Sequence, residues 1–424
     1  MGRVSTLADL AEAIPDAVER LEGVAARTPV QLNHRLSSLT GSEVWLKRED
    51  LQPVRSYKLR GAYNLMSQLN EEEKAAGVVC ASAGNHGQGV AFSAAALGIH
   101  ATVVVPHPTP RQKRDRIQAI GGQFVDLVLH GATYDEASEE AVRLANEGKV
   151  LVPAFNDPRT AAGQATLIVE AFDQLGFVPD VVVLPIGGGG LVAGCSAWLR
   201  AVHPKVRIIG VEPEGAPCIA AAISAGRPVT LNSIDTFVDG AAVRRAGEFT
   251  FQAIREARIE LARVPEGQIC TEMLDMYQTD GIIAEPAGAL AAAALPTGGT
   301  GQRLQIPTGS RVLVVVSGGN NDVSRYADVV ERSLIHEGRK RYFMVEFPQQ
   351  PGALRMFLDS VLGPDDDITY FEYVKRTNKE TGPALVGVEL GNPGDYRFLL
   401  ERIDACGMKT EEVAYDSPYF TFLV

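Results

Sequence analysis

The sequence predicts an α/β protein: parallel sheets covered on both faces by helices, followed by a small ferredoxin-like unit at the C-terminal end. Three observations carry this. From about Val44 to Asn321, short β-branched runs alternate with alanine-rich helical stretches, the pattern of strands buried on both faces. Three of those runs end in polar or glycine clusters, at Ser82, Gly187 and Ser317, and ligands in such sheets sit at the carboxyl ends of strands. After Arg341 the pattern becomes β-α-β-β-α-β.

Taken in order, residues 77–81 read as a strand, followed by a loop and a helix over 89–97. Residues 101–105 form the next strand and stop at Pro106; a basic helix through Arg111, Lys113, Arg114 and Arg116 follows. Further strands are expected at 123–129, 181–184, 207–211 and 311–316. In the C-terminal unit, strands are expected at 342–347, 368–375, 384–390 and 419–424, with helices at 352–362 and 396–406. Leu334-Ile335-His336-Glu337-Gly338 reads as a linker and the glycine-rich 296–301 as a surface loop. These signals divide the chain into 1–335, with a smaller subdomain at roughly 50–155, and 336–424.

At 424 residues the chain is too long for one core. Its 46% hydrophobic and 22% charged residues describe a soluble globular protein, and a formal net charge of −12 argues against nucleic acid as a partner. Cys80, Cys195, Cys218, Cys270 and Cys406 are scattered without a C-x-x-C, which fits free thiols in a reducing, cytoplasmic setting. The histidines lack ligand spacing, so no zinc site is expected. Early acidic residues argue against a signal peptide. Gly2 and Thr6 match a short myristoylation pattern, read as coincidence. No apolar stretch is long enough to span a membrane.

The chemistry centres on Lys58, in Ser56-Tyr57-Lys58-Leu59-Arg60-Gly61-Ala62. A lysine amine is the common side chain that condenses with an aldehyde cofactor to give a stable imine. Gly187-Gly188-Gly189-Gly190-Leu191 joins a strand to a helix, and its backbone N–H groups can converge on a phosphate. A tight β-α turn would read the same way. Ser82-Ala83-Gly84-Asn85-His86 also joins strand to helix and offers backbone donors to a smaller anion such as a substrate carboxylate. Asn85 is either a ligand for a phenolic oxygen or a cap for a helix starting near Gly87.

Together with Ala284-Glu285-Pro286-Ala287-Gly288-Ala289 and Ser317-Gly318-Gly319-Asn320, these motifs resemble the fold-type II pyridoxal phosphate enzymes (tryptophan synthase β-like), and among them the threonine/serine dehydratases. The resemblance implies pyridoxal 5′-phosphate as cofactor, Lys58 as the lysine bonded to it, and Asn85 at its 3′-oxygen. It implies Gly187, Gly188, Gly189, Gly190 and Leu191 around the phosphate, Ser317 at the pyridine nitrogen, and Glu285 near the ring. The substrate L-threonine would meet Ser82, Ala83, Gly84, Asn85 and His86. An uncharged hydroxyl at the ring nitrogen favours elimination over racemisation. Related serine racemases carry a second serine where this chain has Ala83, which points the same way. A metal site of related enzymes is matched at Glu212, but Cys218 stands where an aspartate is expected, so no metal is assigned.

The C-terminal unit, with Phe347-Pro348-Gln349-Gln350-Pro351-Gly352-Ala353-Leu354 as its signature turn, resembles the ACT-like regulatory lobe of biosynthetic threonine dehydratases in their one-lobe form. Isoleucine is then the expected inhibitor, valine a possible antagonist, and a homodimer or homotetramer the expected assembly. The alternatives are a broad serine/threonine dehydratase and, in a different class, a non-catalytic amino-acid sensor. A purely structural lobe is the bland alternative for the C-terminal unit.

Overall fold

The computed structural model describes residues 6–295, 304–373 and 380–414. The chain divides into two compact units, Met1–Glu266 with Asp275–Asp322, and Gly267–Leu274 with Val323–Val424.

The larger unit holds two sheets among the described residues. One runs in the order Val30–Leu32, Glu43–Arg48, Arg311–Val316, Val181–Pro185, Arg207–Pro213, Glu260–Val264. Only its first pair is antiparallel. The other runs Val125–Leu129, Ala101–Val105, Val78–Ala81, Val150–Leu151 and is parallel throughout. Strands such as Ala101–Val105 and Val181–Pro185 are buried along their whole length, which is why they read as unbroken apolar runs rather than alternating ones. The strand expected from 123 begins at Val125, because Gly122–Phe124 turns as a 3-10 helix.

Helices Lys58–Met66 and Pro158–Leu175 cross at two glycines. A Cβ on Gly163 would stand 2.5 Å from the Arg60 carbonyl oxygen and 2.8 Å from the Cα of Gly61. Only hydrogen at both positions lets the backbones approach this closely. Close backbone contact at these glycines therefore helps set the helix that begins with Lys58.

In the smaller unit the sheet order is Asp367–Tyr373, Thr381–Glu389, Lys340–Pro348, Thr410–Glu412, all antiparallel. Two helices, Ala353–Val361 and Tyr396–Cys406, supply Phe357, Val361, Leu399 and Ile403 to its core. This is the expected ferredoxin-like arrangement. Its fourth strand is Thr410–Glu412; the strand expected at 419–424, the tail of the one expected to reach 375, and the 296–301 loop lie outside the described residues. Residues 334–338 are not a linker. They close the helix Tyr326–His336 and turn at Gly338. Ile335 packs with Tyr342 and Val413, and the Glu331 carboxylate accepts from Lys340 Nζ at 2.5 Å and from the Tyr342 hydroxyl at 2.6 Å. The glycine-ended stretch resembles a connection in sequence, but its Ile335 is turned onto the sheet of its own unit. No helix among the described residues is long and apolar enough to cross a membrane.

Candidate active site

Lys58 opens its helix, and the peptides before it are pinned to the loop after strand Arg311–Val316. Tyr57 N–H donates to the Ser317 carbonyl at 3.1 Å, Ser56 bridges Gly318, and Gly319 N–H donates to the Arg55 carbonyl at 2.9 Å. Arg55 adopts φ +56°, a left-handed conformation uncommon for a bulky residue and typical of constrained sites. From the other side, a Cβ on Gly89 would lie 3.0 Å from the Lys58 carbonyl carbon. Helix Asn85–Leu97 thus rests on the Lys58 peptide. The Lys58 amine lies 5.1 Å from the centre of the Tyr57 ring.

Two residues further on, Arg60 is fully buried and grips Glu49 through Nε (2.8 Å) and Nη2 (2.9 Å), and Glu170 through Nη2 (3.0 Å). Lys47 Nζ reaches the other Glu170 oxygen at 2.5 Å. Burial alone would push the Glu49 carboxyl up, but Arg60 and Lys47 hold it below its ordinary value. The network keeps every charge paired, the condition for tolerating charge in a core.

Asn85 does not cap its helix: the N-cap is Gly84, and no side chain caps it. Its amide instead joins two distant segments. Asn85 Nδ2 donates to Glu285 Oε1 at 2.5 Å, and Asn85 Oδ1 accepts from Asn320 Nδ2 at 2.6 Å, which also donates to the Val54 carbonyl at 2.8 Å. Burial, reinforced by the nearby Asp239 charge, pushes the Glu285 carboxyl up to about 7, against the opposing pull of Asn85, Lys113 and Lys58. Ser317 is buried, with its hydroxyl donating to the Ala287 carbonyl at 3.0 Å.

In the Ser82–His86 loop, Ser82 N–H is taken by the Val104 carbonyl and Gly84 N–H by the Ser82 hydroxyl. The N–H groups of Ala83, Asn85 and His86 have no described acceptor. The His86 ring turns away, with Nε2 2.7 Å from the Val152 carbonyl.

The glycine run is enclosed. A Cβ on Gly188 would run into the Phe155 ring, and one on Gly187 would meet Ala241 Cα at 3.0 Å. Gly189 takes φ +92° as N-cap of helix Gly190–Val202, and Thr250 Oγ1 donates to the Gly188 carbonyl at 2.7 Å. The N–H groups of Gly187 to Leu191 find no acceptor among the described residues. Buried donors at a helix N-terminus need a partner, and a phosphate is a suitable one. Asn320 Oδ1 and Ser56 Oγ are buried polar atoms that also lack one. These residues therefore fit a phosphorylated aromatic aldehyde beside Lys58. Phe155, Asp239 and Asn320 were given no role by sequence reasoning; only Asn320, inside a quoted motif, carried any signal.

Two mainly parallel sheets whose loops meet around one helix-opening lysine are the architecture of fold-type II enzymes. The family described as pyridoxal-phosphate dependent enzyme matches residues 21–318, and the C-terminal regulatory domain of threonine dehydratase matches residues 331–423. "L-threonine dehydratase biosynthetic IlvA" of Mycobacterium tuberculosis is 54% identical over 414 residues, 97% of this chain and 95% of that one. The Bacillus subtilis protein of the same name is 47% identical, covering 96% of each chain. Among solved structures, processed threonine deaminase isoform 2 of Solanum lycopersicum aligns with TM-score 0.71 at 36% identity, covering 77% of this chain and 93% of that one. Maize serine racemase aligns with TM-score 0.70 at 30% identity, covering 77% and 98%. The chain belongs to the pyridoxal-phosphate dependent enzymes, in the branch of threonine dehydratases that carry a C-terminal regulatory domain.

Proposed function

We propose that the chain deaminates L-threonine to 2-oxobutanoate and ammonia, with Lys58 as the proton-carrying residue. The observation that carries this is the fixed start of helix Lys58–Met66 among the Ser317 and Asn85 loops. Pyridoxal phosphate, when bound, supplies an electron-withdrawing ring that makes the substrate Cα–H acidic. The unpaired N–H groups of Gly187 to Leu191 would hold its phosphate, Asn85 Nδ2 its ring oxygen, and the uncharged Ser317 hydroxyl its ring nitrogen. The free N–H groups of Ala83, Asn85 and His86 would take the substrate carboxylate. Lys58 Nζ then accepts the Cα proton as general base. The β-hydroxyl leaves as water, and water returns at the final hydrolysis, so the net products are the oxo acid and ammonia. Racemisation is the second reading, on the likeness to serine racemase. Ala83 offers only a methyl group there, with no proton to give from the opposite face.

The test is the purified holoenzyme with a panel of hydroxy amino acids. Yellow colour and oxo-acid release from threonine support the reading; a colourless protein inert toward threonine and serine rejects it.

The regulatory domain takes a small-molecule effector in this reading, with isoleucine as inhibitor and valine as antagonist. A cavity of about 370 Å³ in the smaller unit is lined by Phe347, Gly352, Phe371 and Tyr373 among others. It lies at the uncapped start of helix Ala353–Val361, where Gly352 takes φ +89°. Apolar walls beside the N–H groups of Leu354 and Arg355, which have no described acceptor, suit a branched-chain amino acid. Assembly as a homodimer or homotetramer, in a reducing cytoplasm that keeps the five free cysteines reduced, completes the proposal. Light scattering decides the assembly.

A further inference from the structure

Glu285 sits where a charged carboxylate is poorly accommodated. It is 3% exposed and wedged between two glycines: a Cβ on Gly318 would overlap Oε1, and one on Gly240 would stand 3.7 Å from it. Oε1 accepts the Asn85 amide, and no described donor reaches Oε2. The charged groups facing it come from three other segments. Asp239 repels a negative charge and is itself paired with Lys113 at 2.8 Å, while Lys58 and Lys113 attract one. The orientation of Asn85 is decided by the same contacts. With Oδ1 taken by Asn320, one Nδ2–H goes to Glu285 and the other is left over.

We propose that Glu285 works as a neutral carboxylic acid and is the positioning residue that aims the remaining Asn85 N–H at the ring oxygen of the cofactor. This rests on the cofactor reading above. A neutral Glu285 accepts from Asn85 without setting a second negative charge beside an electron-rich ring oxygen. Its burial beside Asp239, which pushes the carboxyl up to about 7, leaves about half of it protonated at pH 7 and most of it protonated below that. An ionised Glu285 would also attract a positive charge onto Lys58 and so hold the proton that the amine must give up.

The test is infrared difference spectroscopy of the holoenzyme between about pH 5.5 and about pH 8.5, a span in which one carboxyl near neutrality titrates almost fully. Glu212, also buried and raised to about 7, is removed from the comparison by working in Glu212→Gln. With ¹³C-glutamate labelling to exclude aspartates, a protonated-carboxyl band should vanish as pH rises and be absent in Glu285→Gln. Cofactor affinity gives the positioning readout. Glu285→Gln, which keeps an acceptor oxygen, should bind the cofactor about 2- to 13-fold more tightly than Glu285→Ala, the worth of one hydrogen bond. Absence of the glutamate band in Glu212→Gln at the acid end, or equal cofactor loss in the Gln and Ala variants, overturns the proposal. A band with the expected behaviour in an enzyme that does not release ammonia from threonine would instead reject the catalytic reading.

Discussion

His86 stands next to Asn85, yet the structure gives the two residues opposite tasks. The Asn85 amide binds two residues far away in the chain, Glu285 at a separation of 200 and Asn320 at 235; the His86 ring is buried, bonded through Nε2 to Val152, and has no partner at Nδ1. Burial first, with Lys58 adding to it, lowers the His86 imidazole to about 4 against the ordinary 6.5. A neutral ring therefore donates from Nε2. Because the folded value lies below the unfolded one, the unfolded chain binds more protons between them. Stability is complete above about pH 6.5 and is lost as pH falls toward 4, by about 3 kcal/mol at most. Urea unfolding should show the gap between wild type and His86→Gln narrowing as pH drops from 7 to 5; a constant gap would contradict the neutral, buried ring. At this scale the sequence named Lys58, Asn85 and Ser317 as candidates because each lies in a contiguous motif. It could not decide whether Asn85 capped a helix or bound a ligand, since the deciding partners are distant in the chain.

Helix Lys58–Met66 presents its lysine through two devices, one steric and one ionic. The Gly61–Gly163 contact predicts that Gly163→Ala, with a Cβ 2.5 Å from the Arg60 carbonyl oxygen, costs about 1–3 kcal/mol by overpacking. It should also weaken cofactor affinity, because the displaced helix carries Lys58. Chemical denaturation and a cofactor titration on the same variant check both. Arg60→Met leaves Glu49 buried without its principal partner, and breaking such a network costs about 3–5 kcal/mol. A loss under about 1 kcal/mol in urea would mean that the carboxylates find water or another cation. The central strands at 77–81, 101–105, 181–184, 207–211 and 311–316 were legible because burial on both faces writes an unbroken apolar run into the sequence; Val30–Leu32, Val150–Leu151, Glu260–Val264 and most helices of the larger unit, short or amphipathic, carried no such run. The helix expected from 89 starts at Asn85, since its first turn of glycine and polar residues carries no helical signal. The short strand Thr410–Glu412, polar and at a sheet edge, was overlooked for the same reason.

For the whole molecule, the proposed coupling between effector and substrate is a difference in effector affinity between two catalytic states, typically about 1–3 kcal/mol, or about 5- to 150-fold in apparent threonine affinity. Cutting the chain near Gly338 is a poor test. It would strip helix Tyr326–His336 of the strand on which Ile335 packs, and residues 267–274 belong to the same unit. Phe371→Ala, in the cavity wall, should instead abolish the response to isoleucine while leaving threonine saturation without effector unchanged. Inhibition that survives intact would move the effector site elsewhere. The two-part division was readable from the change of pattern after Arg341. The place where the smaller unit begins was not, because helix Tyr326–His336 follows strand Arg311–Val316 and so continues the strand–helix alternation before it.

The central claim is that Lys58 carries the proton in threonine deamination, and one measurement bears on it most directly. Wild type and Lys58→Ala are each loaded with pyridoxal phosphate, and 2-oxobutanoate release from threonine is followed beside the absorption spectrum. Wild type should be yellow and active. Lys58→Ala should lose that absorbance and essentially all turnover while still binding the cofactor weakly through the glycine loop. A Lys58→Ala enzyme that turns threonine over at near wild-type rate, with no added amine, would contradict the account.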